Sequence, residues 1–168
     1  MKIAVLGYSG SGKSTLARVL GEWYNVSVLH LDQVQFLPGW QIRDRDEAKA
    51  MVSVFLERET GWVIDGNYNS FFLQERLMQA DLIVLMLLPR LMCLHRCRMR
   101  YQMNRNKTRV DMAPGCPEKL DAEFVRWILW EGRTRKKRAH FRGIARTYAQ
   151  KTVILRSQKE IDRFLNHM

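Results

Sequence analysis

Short apolar runs alternate along the chain with longer stretches of helical period. Ile3, Ala4, Val5 and Leu6 form a continuous run closed by Gly7. Leu16, Val19, Leu20 and Trp23 follow at i, i+3, i+4 and i+7, which is one face of a helix. Residues 26–31 predict a second strand. Asp44 with Glu47 three positions on predicts a helix start, and Ala48, Met51, Val52 and Phe55 continue that face. Trp62, Val63 and Ile64 predict a third strand stopped by Asp65-Gly66, and residues 82–88 a fourth ending at Pro89. Residues 91–103 read as a helix, 104–120 as irregular, and 121–148 as a long basic helical stretch interrupted near Gly132. Residues 152–155 predict a fifth strand, and a short helix follows. The strands are continuous rather than alternating, so both faces should be buried under helices. That pattern predicts an α/β fold, a doubly wound five-stranded parallel sheet in three layers. The chain shows no internal repeat and no low-complexity linker, and its 168 residues suit a single domain spanning 1–168.

Chemistry enters between the first strand and the first helix. Gly7-Tyr8-Ser9-Gly10-Ser11-Gly12-Lys13-Ser14 matches G-x-x-x-x-G-K-[ST] without deviation. Glycines let the backbone curl so that several N–H groups point at one phosphate. The helix beginning near Lys13 adds its positive dipole end. In such a loop Gly7, Ser9, Gly10, Ser11, Gly12, Lys13, Ser14 and Thr15 hold a nucleotide, ATP or GTP, with Lys13 on the β- and γ-phosphates and Ser14 on Mg²⁺.

Nucleotide binding alone leaves several classes open. A small GTPase would carry a guanine-reading N-K-x-D, but Asn106-Lys107-Thr108-Arg109 lacks the aspartate. A motor or helicase would be longer. A small-molecule kinase needs an acceptor site and a mobile basic lid that excludes water, and residues 104–120, between basic helices, suit a lid.

Charge sharpens this picture. The formal net charge is +11, and residues 90–146 hold 16 of the 28 basic but only 5 of the 17 acidic residues, leaving 12 and 12 elsewhere. A segment of one sign implies an anionic partner, either ligand phosphates or a nucleic acid backbone. Arg96 and Arg100, spaced i,i+4, can present guanidinium groups from one helix face, and Arg133, Lys137 and Arg138 from the next. Guanidinium donates bidentately to phosphate and keeps its charge.

Two carboxylates end apolar runs. Asp32 closes the second, beside His30, where it can orient an acceptor hydroxyl, take its proton or hold Mg²⁺. Asp65 closes the third as a further Mg²⁺ contact. The competing readings are a cap for Asp32, a turn for Asp65 and a packed structural residue for His30. Phe36-Leu37-Pro38-Gly39-Trp40 offers either a stacking surface or a hydrophobic loop anchor. Cys93, Cys97 and Cys116 are too few and too scattered for a disulfide framework and read as buried or idle thiols. No apolar run reaches the length of a membrane span and no signal peptide is legible, so the expectation is a cytoplasmic protein without a membrane partner.

The loop with His30-Leu31-Asp32, Leu37-Pro38-Gly39-Trp40, Asp65-Gly66-Asn67-Tyr68, Lys107-Thr108-Arg109, Asp111-Met112-Ala113, Gly115-Cys116-Pro117-Glu118 and Leu155-Arg156-Ser157 resembles the bacterial DNA topology modulation proteins, FlaR-related. Those sequences are in turn similar to the adenylate kinase and shikimate kinase group. The resemblance covers essentially the whole chain. It implies a P-loop kinase using ATP and Mg²⁺, with Asp32 toward a small-molecule acceptor and Arg156 at the nucleotide. It also implies an alternative, a nucleotide-regulated DNA-binding protein. One departure stands out: the Phe-Pro-Arg that follows Asp-Gly in adenylate kinases is Asn67-Tyr68-Asn69 here. An arginine expected to hold a nucleoside monophosphate is therefore missing.

Overall fold

The structure, a computed structural model, describes residues 1–105, 108 and 110–168. Along the chain run β1 (Lys2–Gly7), α1 (Lys13–Tyr24), β2 (Ser27–His30), α2 (Leu31–Gln35), β3 (Phe36–Leu37), β4 (Gln41–Ile42), α3 (Arg45–Arg58) and β5 (Trp62–Asp65). They are followed by α4 (Leu73–Gln79), β6 (Leu82–Met86), α5 (Arg90–Met103), α6 (Ala122–Leu129), α7 (Arg135–Thr147), β7 (Thr152–Leu155) and α8 (Gln158–Asn166). Five strands form one sheet in the order β2-β5-β1-β6-β7, and every neighbouring pair is parallel. The expected α/β architecture is therefore present.

The continuous apolar strands are explained by what covers them. Along β1, Ala4 and Leu6 join one buried cluster and Ile3 and Val5 the other. The first cluster is completed by Leu31 and Val34 of α2, Ala48 and Val52 of α3, Leu73 and Leu77 of α4, and Phe141 and Ile144 of α7. The second is completed by Leu16 and Leu20 of α1, Cys93 and Cys97 of α5, Ile128 of α6 and Ile161 of α8. Each face of the sheet thus has its own helical layer, and Cys93 and Cys97 are packed inside one of them. Burying one such large apolar side chain stabilises the fold by about 1.5–3 kcal/mol.

Several boundaries differ from the sequence reading. Strand β2 stops at His30, so Asp32 does not close a strand but lies in the first turn of α2. Trp23 is exposed; α1 instead buries Leu16, Ala17, Leu20 and Gly21. The cause is close packing, since a Cβ on Gly21 would stand 2.2 Å from Val28 Cγ2. Met51 likewise faces outward while Ala48 and Val52 face the core. The basic stretch 121–148 is two helices: α6 ends at Leu129, a 3₁₀ turn spans Glu131–Arg133, and Thr134 caps α7 by accepting from the Lys137 N–H. Asp44 caps α3 as expected, accepting from the Asp46 and Glu47 N–H groups.

Phe36–Leu37 and Gln41–Ile42 pair as a small antiparallel hairpin around Pro38–Trp40. The described part of segment 104–120 docks on it. Gln33 Nε2 donates to Val110 O at 2.6 Å, the Gly39 N–H to Gly115 O at 2.9 Å, and Trp40 Nε1 to Pro117 O at 3.2 Å. Met112, Ala113 and Cys116 bury themselves against Phe36 and Trp40. Of the two readings of the aromatic pair, the loop anchor is what this arrangement displays. Lys107 and Arg109, two of the basic residues of segment 104–120, lie with Asn106 outside the described residues. Among the described residues no helix is long and apolar enough to cross a membrane.

Candidate functional site

The phosphate loop leaves β1 at Gly7 and enters α1 at Lys13. Gly7 has φ 146°, and a Cβ there would stand 2.2 Å from Met86 O of the adjacent strand. Gly10 (φ 76°) and Gly12 (φ 94°) take left-handed conformations. A Cβ on Gly10 would meet Cys97 Sγ at 2.6 Å, so the small i,i+4 cysteines of α5 form the floor on which the loop lies. Gly12 caps α1 without any side-chain hydrogen bond, which leaves the first-turn amides open toward the loop. The Ser11 hydroxyl is buried with no hydrogen-bond partner among the described residues. An open helix start, a curled glycine loop and an orphaned hydroxyl fit a bound phosphate chain.

Lys13 reaches back along the loop, its Nζ donating to Tyr8 O at 3.0 Å. Burial lowers the pKa of its ammonium, opposed by the charges of Asp65 and Asp32. All three groups therefore share one electrostatic neighbourhood.

Ser14 Oγ donates to Asp65 Oδ2 at 2.8 Å. The other carboxylate oxygen of Asp65 lies 2.5 Å from His30 Nδ1. Burial alone would lower the His30 pKa, but the hydrogen bond and charge of Asp65 outweigh it and raise the value above 6.5. Of the competing readings, His30 is a packed residue, held by a site carboxylate. Ser14 and Asp65 supply hard oxygen donors, which suits Mg²⁺ held by one or two protein groups plus phosphates. Among the described residues no cluster of three or more His, Cys, Asp or Glu could hold a metal ion.

Asp32 Oδ1 accepts from the Tyr68 hydroxyl at 2.6 Å. Burial, then the charge and hydrogen bond of Asp32, push the Tyr68 pKa far up, so Tyr68 stays a donor. Asn67 binds the loop itself: Gly7 N–H donates to Asn67 Oδ1 at 3.0 Å and Asn67 Nδ2 donates to Gly7 O at 2.7 Å. Beneath this segment the buried Arg76 donates to Phe71 O at 2.8 Å, Tyr68 O at 2.9 Å and Gly66 O at 3.4 Å. Burial lowers its pKa to about 10, against the opposing charges of Asp65 and Glu75.

A cleft of about 760 Å³ opens beside the loop, lined among others by Gly12, Lys13, Ser14, Thr15, Arg96 and Arg100. Arg96 donates to Ser11 O at 2.6 Å and also to Gln158. Arg100 pairs with Glu118 at 2.7 Å. Arg133 lies under the loop instead. Its guanidinium stacks 3.9 Å from the Tyr8 ring centroid and donates to Leu88 O, Ile128 O and Cys93 Sγ. All three of its nitrogens are engaged by the protein's own chain. Ser9 Oγ accepts from Trp127 Nε1 at 3.1 Å. Arg156 is exposed just after β7, and its backbone N–H donates to Glu160.

The structure thus brings Lys13, Ser14, Asp32 and Asp65 together, places Arg96 and Arg100 on the cleft, and puts Arg133 behind the loop. The sequence reading gave Asn67, Tyr68, Arg76 and Trp127 no role in the site. The available signal was position: Asn67 and Tyr68 directly follow a strand-ending Asp-Gly, at the rim where ligands bind such sheets.

No family model matches the chain, and no curated protein matches it by sequence. Solved structures do. A shikimate kinase from Acinetobacter baumannii in complex with shikimate is 18% identical, with a TM-score of 0.57 over 96% of this chain and 87% of that one. A shikimate kinase from Bacteroides thetaiotaomicron is 17% identical, with a TM-score of 0.50 over 99% and 95%. An uncharacterized protein from Eubacterium ventriosum is 17% identical, with a TM-score of 0.52 over 99% and 98%. These likenesses establish a shikimate kinase-like P-loop fold. They do not reach the DNA topology modulation family.

Proposed function

We propose that the protein is an ATP-dependent kinase that transfers the γ-phosphoryl group to a hydroxyl of a nucleotide or small metabolite. One observation carries this reading: a phosphate loop whose Ser14 is bonded to the strand-end Asp65 faces a second carboxylate, Asp32, held separately by Tyr68. A donor side and an acceptor side therefore meet at Lys13. Gly7, Ser9, Gly10, Ser11, Gly12, Lys13, Ser14 and Thr15 would cradle the phosphates, with Arg156 at the base end. Ser14 and Asp65, with Asp32 across from them, would hold Mg²⁺, which neutralises phosphate charge when bound. Asp32 orients the acceptor hydroxyl and takes its proton as the new O–P bond forms and the β–γ bridge breaks, leaving ADP. Arg96, Arg100 and Arg133 would neutralise the transferring group, each exchanging its present partners for phosphate as the site closes.

The test is ADP release measured across a panel of nucleotides, nucleosides and hydroxylated metabolites. Acceptor-dependent release with a phosphorylated product supports the reading. A nucleotide-bound protein that transfers to none of them overturns it.

A specific observation favours the second reading, a nucleotide-regulated DNA-binding protein. Arg135, Arg138, Arg142 and Arg146 recur at i, i+3, i+7 and i+11 on the exposed side of α7, opposite the buried Phe141 and Ile144. Helix α7 has no acidic residue, and none of the four arginines has an ion pair or side-chain hydrogen bond among the described residues. The stripe is about 16 Å long and complements a phosphate backbone. Binding to duplex DNA that weakens steeply with salt, and weakens further when the four become Gln, supports it. Salt-insensitive or absent binding rejects it.

A further inference from the structure

Four consecutive residues, Asp65-Gly66-Asn67-Tyr68, touch three separate parts of the site. Asp65 receives the Ser14 hydroxyl, Asn67 pairs with Gly7, and Tyr68 holds Asp32. The Asn67 contact is the least expected, because its side chain is exposed and has water available. Its geometry accounts for the preference. Strand β1 is paired on one side with β6 as far as Gly7, whose register partner is Met86, but on the other side β5 stops at Asp65 opposite Val5. Beyond that point Gly7 has no strand partner on the β5 side. The Asn67 carboxamide takes that place, offering an acceptor to the Gly7 N–H and a donor to the Gly7 carbonyl. It thereby extends the ladder by one residue with a side chain. Only Asn or Gln presents a donor and an acceptor side by side in this way, and the two demands of Gly7 fix which end of the amide faces which group.

We infer that Asn67 is a positioning residue for phosphate binding, acting through Gly7, and that the Asp65–Tyr68 segment holds the donor loop and the acceptor carboxylate in one register. Gly7 is where the loop departs from the sheet, so its two peptide groups set the direction of every amide that follows. Met86 fixes it from β6 and Asn67 from β5. Arg76 makes the segment rigid from below through the carbonyls of Gly66, Tyr68 and Phe71. The same rigid segment then carries Tyr68 to Asp32. The inference rests on the kinase reading for what the register serves, but its first consequence is nucleotide affinity, which can be measured without an acceptor.

The experiment titrates a Mg²⁺-bound non-hydrolysable ATP analogue, and separately inorganic tripolyphosphate, into the full chain. Asn67→Ala is expected to weaken both by about five- to tenfold, the effect of losing a partly exposed pair of hydrogen bonds. Loss on tripolyphosphate shows that the phosphate subsite has changed, since that probe has no base. Asn69→Ala, an exposed neighbour two residues on, should bind both probes as the wild type does. Thermal unfolding is recorded alongside, and if Asn67→Ala does not fold, Asn67→Asp keeps the shape and the bond from Gly7 N–H while turning the donor into an acceptor. Asn67 variants that fold and bind both probes with wild-type affinity overturn the inference and leave the kinase reading standing. A wild-type protein that binds neither probe overturns the kinase reading and the inference with it.

Discussion

Ser14 and Asp65 stand 51 positions apart in the chain, yet the Ser14 hydroxyl donates to the Asp65 carboxylate at 2.8 Å. The contact exists because β5 lies beside β1, so the ends of the two strands share a rim. Both groups are oxygen donors of the kind a magnesium ion takes, and the hydrogen bond between them holds both in place.

Lys13→Ala should abolish productive use of ATP. The Nζ that now donates to Tyr8 O would otherwise move onto the β- and γ-phosphates. Losing one positioned electrostatic donor costs about 3–4 kcal/mol of transition-state stabilisation, or 10²–10³ in rate. Turnover of an identified acceptor is the measurement, and near wild-type turnover would refute the assigned role.

Asp32→Asn should leave affinity for the ATP analogue nearly intact and remove transfer if Asp32 serves the acceptor side as proposed. Tyr68→Phe, which deletes the 2.6 Å hydrogen bond to Asp32, should raise the acceptor KM more than it alters nucleotide binding. Isothermal titration with steady-state kinetics separates the two effects. A collapse of nucleotide affinity in Asp32→Asn with surviving transfer would reverse the roles.

His30 predicts a pH dependence of stability in magnesium-free buffer. Its folded pKa is raised above 6.5 because the partnership with Asp65 outweighs burial. A raised value means the stabilisation is fully present below about pH 6.5 and is lost as pH climbs through the folded pKa. Melting temperature should therefore fall with rising pH across that window in the wild type, and the step should vanish in His30→Gln. An identical profile in both proteins would show that another group is responsible.

Arg76→Met should destabilise the fold by roughly 3 kcal/mol, since it leaves the buried carbonyl of Phe71 and the partly buried one of Tyr68 without their donor. Urea unfolding gives the value. A change below about 1 kcal/mol would mean that water takes over the guanidinium's role.

Segment 104–120 should close further when ATP and acceptor bind together. Its described part already has a small apolar contact of Met112, Ala113 and Cys116 with Phe36 and Trp40, so the hairpin and the segment should move as one unit. Hydrogen exchange across both, with and without a bisubstrate analogue, is the test. Unchanged exchange at saturation would mean the segment is a fixed anchor, and Trp40→Ala would then lower stability without altering turnover.

What the sequence determined by itself was local. The phosphate loop is eight contiguous residues, and the left-handed turns at Gly10 and Gly12 and the open start of α1 follow from residue types at adjacent positions. Unbroken apolar strands with helices between them implied a parallel sheet covered on both faces, because that is the arrangement that buries both sides of every strand. Tertiary structure decided which strand lies beside which. Apolar periodicity is the same whether β5 or β2 neighbours β1, so it could not reveal that Ser14 meets Asp65 or that Asn67, 60 positions away, completes the ladder at Gly7. Nor could it place the basic residues. Arg133 and Arg138 belong to one charged stretch, yet the 3₁₀ turn at Glu131–Arg133 and the register of α7 send the first beneath the phosphate loop and the second to solvent. A side chain's charge is written in the sequence, but its direction depends on where the helix lies against the sheet, and that is set by packing between residues far apart in the chain.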